Sequence, residues 1–172
     1  MKFNELNITL DPDTLELRFK GQKLANILEQ LQSEHTITLP DGFVPAYRKL
    51  TNELLAKELK PIKGIKEALD QLDYPKAVVS SAPRDRIDLA LKVCGLTQYF
   101  NRNIYSAYEI GFWKPDPKIY EFAAQHMGYT PALCAVIEDS LVGVEAGVKT
   151  GAKTFFYNPH NEQCDWPDIV SF

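Results

Sequence analysis

A short apolar run in this chain ends in two adjacent carboxylates and leads directly into a helical segment. The run covers residues 134–137, the acids are Glu138 and Asp139, and a helix is predicted over residues 141–150. A run that is apolar on both faces is typical of a strand inside a helix-covered parallel sheet. Such sheets bind ligands just beyond the carboxyl ends of their strands. The pattern therefore predicts an α/β fold with a metal and phosphate site at the two acids, against the alternative of an exposed acidic turn.

The rest of the second half alternates between strand-like and helix-like segments. Further strands are predicted over residues 77–79, 103–106 and 153–157, and helices over residues 65–72, 84–94 and 116–127. Strands and helices that alternate at this spacing favour parallel strand pairing. The fold class predicted is therefore α/β, a Rossmann-like doubly wound parallel sheet with helices on both faces.

The first third of the chain has a different pattern. Leucines recur at helical spacing between residues 17 and 59, and no strand-like run occurs there. Pro40, Asp41 and Gly42 divide this stretch into two predicted helices. We therefore predict a small helical domain over residues 1–60 and an α/β core over residues 61–172.

Composition excludes several classes of protein. The chain has 172 residues, of which 45% are hydrophobic, enough for one core with a small appended lobe. A net charge of -4 with scattered cations predicts no nucleic-acid partner. No apolar run approaches the roughly 18 to 20 residues of a membrane span, so no membrane partner is expected. Cys94, Cys134 and Cys164 are odd in number and far apart, which favours free thiols in a reducing cytoplasm.

Two further positions carry side chains suited to phosphate. Ser80 and Ser81 follow the strand at residues 77–79, where hydroxyls and helix amides bind phosphate oxygens. The alternative is that these serines cap the next helix. Lys114 stands between Trp113 and a Pro-Asp-Pro sequence, whose prolines fix the backbone and orient the amine. The alternative for Lys114 is a solvated surface charge.

Three segments in this order resemble motifs of a known superfamily. They are VVSS at residues 78–81, WKPDP at residues 113–117 and VIEDS at residues 136–140. They are similar to the second, third and fourth motifs of the haloacid dehalogenase-like hydrolases. The helical first third resembles the cap of the phosphoglycolate phosphatase and phosphoglucomutase branch, with RFKG at residues 18–21 similar to its substrate-facing loop. Within this branch the chain looks most like bacterial phosphatases that act on 6-phosphogluconate.

The resemblance implies a magnesium-dependent phosphoric monoester hydrolase that acts on a small phosphorylated sugar or organic acid. Phosphoryl transfer depends on positioning and on charge neutralisation. The implied assignments are Ser80 and Lys114 as catalytic residues, Ser81, Ala82, Lys20 and Lys23 as substrate-binding residues, and Asp139 with Glu138 as magnesium ligands, Asp139 being the more direct of the two.

The superfamily's first motif has no convincing counterpart in the chain. That motif is a strand that ends in Asp-x-Asp-Gly-Thr, and it supplies both the attacking aspartate and the general acid and base. Asp11 and Asp13 have the right separation, but the residues before them alternate between polar and apolar, and no glycine follows Asp13. We interpret Asp11 and Asp13 as a turn between helices of the cap.

The chain is therefore expected to be inactive as it stands. It resembles a sequence that begins inside the first cap helix and stops before the superfamily's last helix. An incomplete gene, a misplaced start and a true pseudoenzyme that binds a phosphorylated ligand or a protein are all compatible with this pattern. A haloacid dehalogenase is the alternative within the superfamily, and it would need no metal.

A sheet without its central first strand would leave the strands at residues 77–79 and 134–137 without a shared neighbour. Three outcomes are expected. The two strands pair with each other, residues 6–10 fill the gap, or the chain folds poorly and aggregates, since buried unpaired backbone groups cost about 1–3 kcal/mol each. In the folded cases, we expect Ser80, Lys114, Glu138 and Asp139 to converge at one edge of the sheet.

Overall fold

The described part of the chain begins with four helices and continues as strands that alternate with helices. The computed structural model describes residues 3, 6, 8–100, 102–159, 163–164, 166 and 169–171. The helical part consists of α1 (Pro12–Phe19), α2 (Leu24–His35), α3 (Phe43–Glu58) and α4 (Ile65–Gln71). The alternating part consists of β1 (Val78–Ser80), α5 (Arg84–Cys94), α6 (Thr97–Phe100), β2 (Ile104–Ser106), α7 (Ala107–Ile110), α8 (Lys118–His126), a 3-10 turn (Pro131–Leu133), β3 (Ala135–Glu138), α9 (Leu141–Lys149), β4 (Lys153–Phe156) and β5 (Val170–Ser171).

The predicted α/β fold class is confirmed, and the predicted strands agree with β1 to β4 within one or two residues at each end. The helix predicted over residues 84–94 is α5 itself, and Gly95 ends it in the left-handed region with φ of 64°. The short helices α6 and α7 were not predicted, because a single turn leaves no periodic pattern in the sequence.

The helical first third contains three helices instead of the two that were predicted. The additional break falls at Gly21, which has φ of +79° and separates α1 from α2. A residue with a side chain rarely adopts this backbone conformation, so the glycine permits the turn. The predicted domain boundary after residue 60 stays a prediction, and α3 ends just before it at Glu58.

Every strand pair in the described part of the chain is parallel, but the strands form two sheets. One sheet pairs β1 with β2, with Val79 opposite Tyr105. The other has the order β3, β4, β5, with Ile137 opposite Phe155. The expectation that the strands at residues 77–79 and 134–137 pair with each other is therefore wrong.

The expectation that residues 6–10 fill the gap is also not met by the residues that the structure describes there. Leu6 lies in a 3-10 turn, residues 8–10 have no regular structure, and Asn7 lies outside the described residues. The two sheets are joined through side chains instead, since Val79 of β1 packs against the buried cluster that contains Val136 of β3.

The main core lies between these sheets and the helices α7, α8 and α9. Ile119 of α8 is fully buried at its centre, together with Ala107, Tyr120, Val136 and Ala146. Burial alternates along β3, so that Val136 is buried whereas Ile137 is 63% exposed. The described residues thus cover only one face of β3, although its sequence is apolar on both.

None of the described helices is both long and apolar enough to cross a bilayer.

Ile119, which is buried in the main core, and Ile137, which lies on the exposed face of β3, provide a test of the core packing. Ile119→Ala should lower the free energy of unfolding by about 2–5 kcal/mol, because it leaves a cavity in a fully buried cluster. Ile137→Ala removes the same atoms from an exposed site and should change it by less than about 0.5 kcal/mol. Urea denaturation followed by circular dichroism measures both. Equal losses for the two variants would contradict the packing described here.

Candidate active site

A cavity of about 420 Å³ is lined by residues of the N-terminal helices and by the carboxyl ends of β1 and β3. From the α/β part it receives all six site residues predicted there, namely Ser80, Ser81, Ala82, Lys114, Glu138 and Asp139. From the helical part it receives Gly21, Gln22, Leu24, Ile27, Tyr47, Arg48 and Asn52. The structure thus brings together two strand ends, at Ser80 and Glu138, that are separated by about a third of the chain.

The carboxylate of Glu138 accepts hydrogen bonds on both of its oxygens at this cavity. It is buried at the end of β3, where Oε1 accepts hydrogen bonds from Lys114 Nζ and from the hydroxyl of Tyr120. Its other oxygen, Oε2, accepts a hydrogen bond from Ser140 Oγ at 3.1 Å. A buried carboxylate is stable only with such partners, so three donors on three different segments fix its position.

Lys114 owes its orientation to this carboxylate. Its side chain is almost wholly buried, forms an ion pair with Glu138 and lies with Nζ 5.5 Å from the ring centre of Tyr120. Burial, and then the negative charge of Glu138, raise the pKa of Tyr120 far above its usual value. Tyr120 therefore stays protonated and acts as a hydrogen-bond donor to Glu138.

The start of α9 is built around the same carboxylate. Ser140 is the N-cap residue, and its Oγ accepts a hydrogen bond from the Gly143 amide at 3.3 Å while its hydroxyl donates to Glu138. A Cβ atom at Gly143 would overlap the Glu138 carboxylate. Glycine at this position therefore leaves the space that Glu138 occupies.

Ser80, the last residue of β1, and Ser81, which follows it, do not cap α5. That helix begins after Pro83 without a side-chain cap, so the alternative interpretation of helix capping does not apply. Ser80 Oγ instead accepts a hydrogen bond from the Ala82 amide at 3.1 Å. Ser81 Oγ is buried at the cavity and has no hydrogen-bond partner among the described residues. A buried hydroxyl in this state is available to a ligand.

Asp139 and the two lysines predicted from the cap occupy different positions. The Asp139 side chain is 60% exposed at the cavity, with Oδ2 lying 3.5 Å from Lys20 Nζ. Lys23 does not line the cavity, because its Nζ lies 4.0 Å from the ring centre of Trp113. Gly21 allows this approach of the helical part, since a Cβ there would lie 2.7 Å from Ser140 Oγ.

Asp11 caps the first helix and does not line the cavity. Its Oδ2 accepts a hydrogen bond from the Thr14 amide at 2.9 Å. The hydrogen bonds from the Thr14 side chain and amide lower the pKa of Asp11. Asp11 therefore lies at the N-terminus of α1, and since residues 1, 2, 4, 5 and 7 lie outside the described part of the chain, the predicted turn between two helices stays a prediction. Asp13 lies in α1, and its side chain is outside the part that the structure describes.

Several residues of the site were not predicted from the sequence: Arg48 and Asn52 line the cavity, whereas Tyr120 does not line it but bonds to Glu138. Tyr120 is buried on α8, and its helical spacing in the sequence indicates only a core residue. The sequence gives no sign that its hydroxyl donates a hydrogen bond to Glu138. Arg48 and Asn52 lie one turn apart on α3, a spacing that places both on one face of the helix. Their sequence signal is weak, because polar residues on an amphipathic helix are usually solvated.

Comparison with known proteins agrees with this architecture. The haloacid dehalogenase-like hydrolase family profile matches residues 3–157. The 6-phosphogluconate phosphatase of Escherichia coli strain K12 is 32% identical over 99% of this chain and 78% of its own length. A hydrolase of the same family from Deinococcus radiodurans, solved with bound phosphate and sodium, is 31% identical with a TM-score of 0.71, over 94% of this chain and 72% of that chain. A predicted phosphoglycolate phosphatase from Haemophilus somnus shares the fold, with a TM-score of 0.84 at 17% identity over 99% and 82% of the two chains.

The fold and these matches define an α/β hydrolase. The chain belongs to the haloacid dehalogenase-like hydrolase family. The prediction of a phosphoric monoester hydrolase is thereby confirmed at the level of the family.

The bond between Tyr120 and Glu138 can be tested by removing one oxygen. Tyr120→Phe should lower the free energy of unfolding by about 1.5–3 kcal/mol, because a buried carboxylate loses a donor. Tyr129→Phe, a change at an exposed tyrosine, should stay within about 0.5 kcal/mol of the parent chain. Chemical denaturation measures both variants. No loss for Tyr120→Phe would show that the hydroxyl does not hold Glu138.

Proposed function

We propose that this chain carries the site of a magnesium-dependent phosphatase for a small sugar or organic-acid phosphate. The observation that carries the proposal is the convergence of Ser80, Ser81, Lys114 and Asp139 on one cavity. These side chains supply hydroxyls, a cation and a carboxylate, which are the groups that phosphoryl transfer requires. Three free cysteines are in keeping with a cytoplasmic location, which is part of the proposal.

The phosphate end of the site is proposed at β1 and Lys114. The hydroxyl of Ser81, which has no partner among the described residues, donates to a phosphate oxygen. Ser80 can donate its hydroxyl proton to the phosphate while its oxygen still accepts the hydrogen bond from the Ala82 amide. That amide is already bonded, so Ala82 contributes through backbone shape more than through a free N–H. Lys114, held by Glu138, places one positive charge beside these hydroxyls.

The donor set fits magnesium in the way proteins usually bind it. Mg²⁺ is commonly held by one or two carboxylates, with waters and substrate phosphate completing an octahedral shell. Asp139 presents an exposed carboxylate at the cavity, whereas both Glu138 oxygens already accept hydrogen bonds. No group of three or more metal-binding side chains occurs in the described part of the chain. We therefore assign the direct contact to Asp139 and a supporting position to Glu138.

The chain's own residues account for binding and charge, but not for the attack on phosphorus. A bound magnesium ion supplies neutralisation of the phosphate charge. Lys114 and the two serines orient the phosphoryl group, and Glu138 keeps Lys114 in place. The attacking aspartate of the family has no counterpart in Asp11, whose carboxylate caps α1. We therefore propose that the 172 residues bind a phosphate ester without hydrolysing it.

Magnesium binding is expected to depend on Asp139. Asp139→Asn should abolish the heat signal on titration with MgCl₂, because it removes the exposed carboxylate at the cavity. Asp88→Asn, on the exposed side of α5, should leave the signal unchanged. A magnesium response that survives the double change of Glu138 and Asp139 to alanine would remove this site.

Turnover is expected only when a suitable aspartate is supplied. The purified 172-residue chain should not hydrolyse p-nitrophenyl phosphate with Mg²⁺, whereas a chain extended by an in-frame strand ending in Asp-x-Asp-Gly-Thr should. Release of p-nitrophenol measures both. Hydrolysis by the 172-residue chain that is lost in Asp11→Asn would reverse the assignment of Asp11.

A non-catalytic protein that binds a phosphorylated ligand or a partner is the second candidate, and the capping position of Asp11 favours it. It differs from the phosphatase in one outcome, since phosphate affinity would remain without turnover even in the extended chain. A haloacid dehalogenase needs no metal, so a magnesium signal of the parent chain that is lost in Asp139→Asn would argue against it.

A further inference from the structure

We infer that Arg48 of α3 and Arg86 of α5 form a second anion subsite, which binds a carboxylate at the far end of the substrate from its phosphate. This inference rests on the proposed function. It specifies the substrate class as an acid that carries both groups, such as an aldonic acid phosphate. Both arginines line the cavity that holds Ser80, Ser81 and Lys114.

Arg48 is held at the cavity by an uncharged partner. Its Nη2 donates to the hydroxyl of Tyr108 at 3.2 Å, and its guanidinium carbon lies 5.5 Å from the centre of the same ring. The side chain is half-buried. These contacts use one of the five N–H groups of the guanidinium and restrict its motion. The remaining donors and the positive charge are available to a ligand.

Arg86 is fixed within one helical turn of Arg48. Its Nη1 donates to Thr51 Oγ1 at 2.9 Å, and Thr51 follows Arg48 by three residues on α3. Residues three apart on a helix share a face. The two guanidinium groups are therefore presented from facing helices. Among the described residues, neither has a carboxylate within 4 Å, so the structure leaves both charges without an acidic partner.

The other charges of the cavity are already compensated or exposed. Lys114 pairs with Glu138, and Asp139 lies 3.5 Å from Lys20. Asp85 also lines the cavity, but it is exposed, so solvent screens its charge. The net effect is a pair of arginines without an acidic partner among the described residues, in a cavity of about 420 Å³ that Ser80, Ser81 and Lys114 also line. That volume is in the range of small-molecule sites.

A role limited to joining the helical part to the core would not require arginine. Tyr108 and Thr51 are neutral, and a neutral side chain could donate the same two hydrogen bonds at a lower desolvation cost. A planar guanidinium is suited to two-point binding of a carboxylate. Asn52, one turn after Arg48 and also at the cavity, is suited to hydroxyl groups between the two ends of the ligand.

Calorimetry on the full 172-residue chain with Mg²⁺ tests this subsite with matched ligands. The ligands are 6-phosphogluconate, glucitol 6-phosphate, in which a hydroxymethyl group replaces the carboxylate, and glucitol 1,6-bisphosphate. The parent chain should bind 6-phosphogluconate at least about tenfold more tightly than glucitol 6-phosphate, from charge-assisted hydrogen bonds. Arg48→Gln should remove this preference and leave the affinity for glucitol 6-phosphate unchanged.

The controls separate the possible outcomes. Lys49→Gln, which removes a neighbouring charge of α3 that does not line the cavity, should keep the preference. Arg86→Gln should weaken it independently of Arg48, and thermal unfolding of each variant verifies that it is folded. Equal affinity for the two monophosphates, or tighter binding of the bisphosphate than of 6-phosphogluconate, would overturn the carboxylate subsite alone. Absence of binding by all three phosphate esters would overturn the proposed function, and the subsite with it.

Discussion

The buried carboxylate of Glu138 is the group on which the geometry of the site depends. Its three donors come from the loop before α8, from α8 itself and from the start of α9, so one side chain joins these segments to the end of β3. Removing one partner of a buried ion pair typically costs about 3–5 kcal/mol, because the other charge is left uncompensated. This cost explains why Gly143 must leave room for the carboxylate, and why Lys114 is held in place before any ligand arrives.

The helical part reaches the core through a few close contacts at the cavity. Gly21 lies against Ser140, which allows Lys20 to approach Asp139. Arg48 contacts the core from α3. These contacts make the cavity a joint product of both parts of the chain.

The division of the sheet is the second constraint. β1 and β3 each have a pairing partner on one side only within the described residues, and β3 presents Ile137 on an uncovered face. An unpaired strand edge beside exposed apolar side chains is a recognised cause of aggregation. Val79 and Val136 bring the two sheets together through side-chain packing, which preserves the relative position of Ser80 and Glu138 without a continuous ladder of hydrogen bonds.

The sequence by itself determined the α/β class, the approximate extent of β1 to β4 and the convergence of Ser80, Lys114 and Asp139 on one cavity, because these follow from local periodicity and from residues at or after strand ends. Only the tertiary structure decided which partners those residues have. The sequence pattern indicates a core residue at Tyr120 and a metal ligand at Glu138. In the structure these two residues, which are distant in sequence, are joined by a hydrogen bond. The division of the strands into two sheets could not be predicted from the sequence either. Strand pairing and the covering of a strand face depend on long-range contacts that no local pattern encodes.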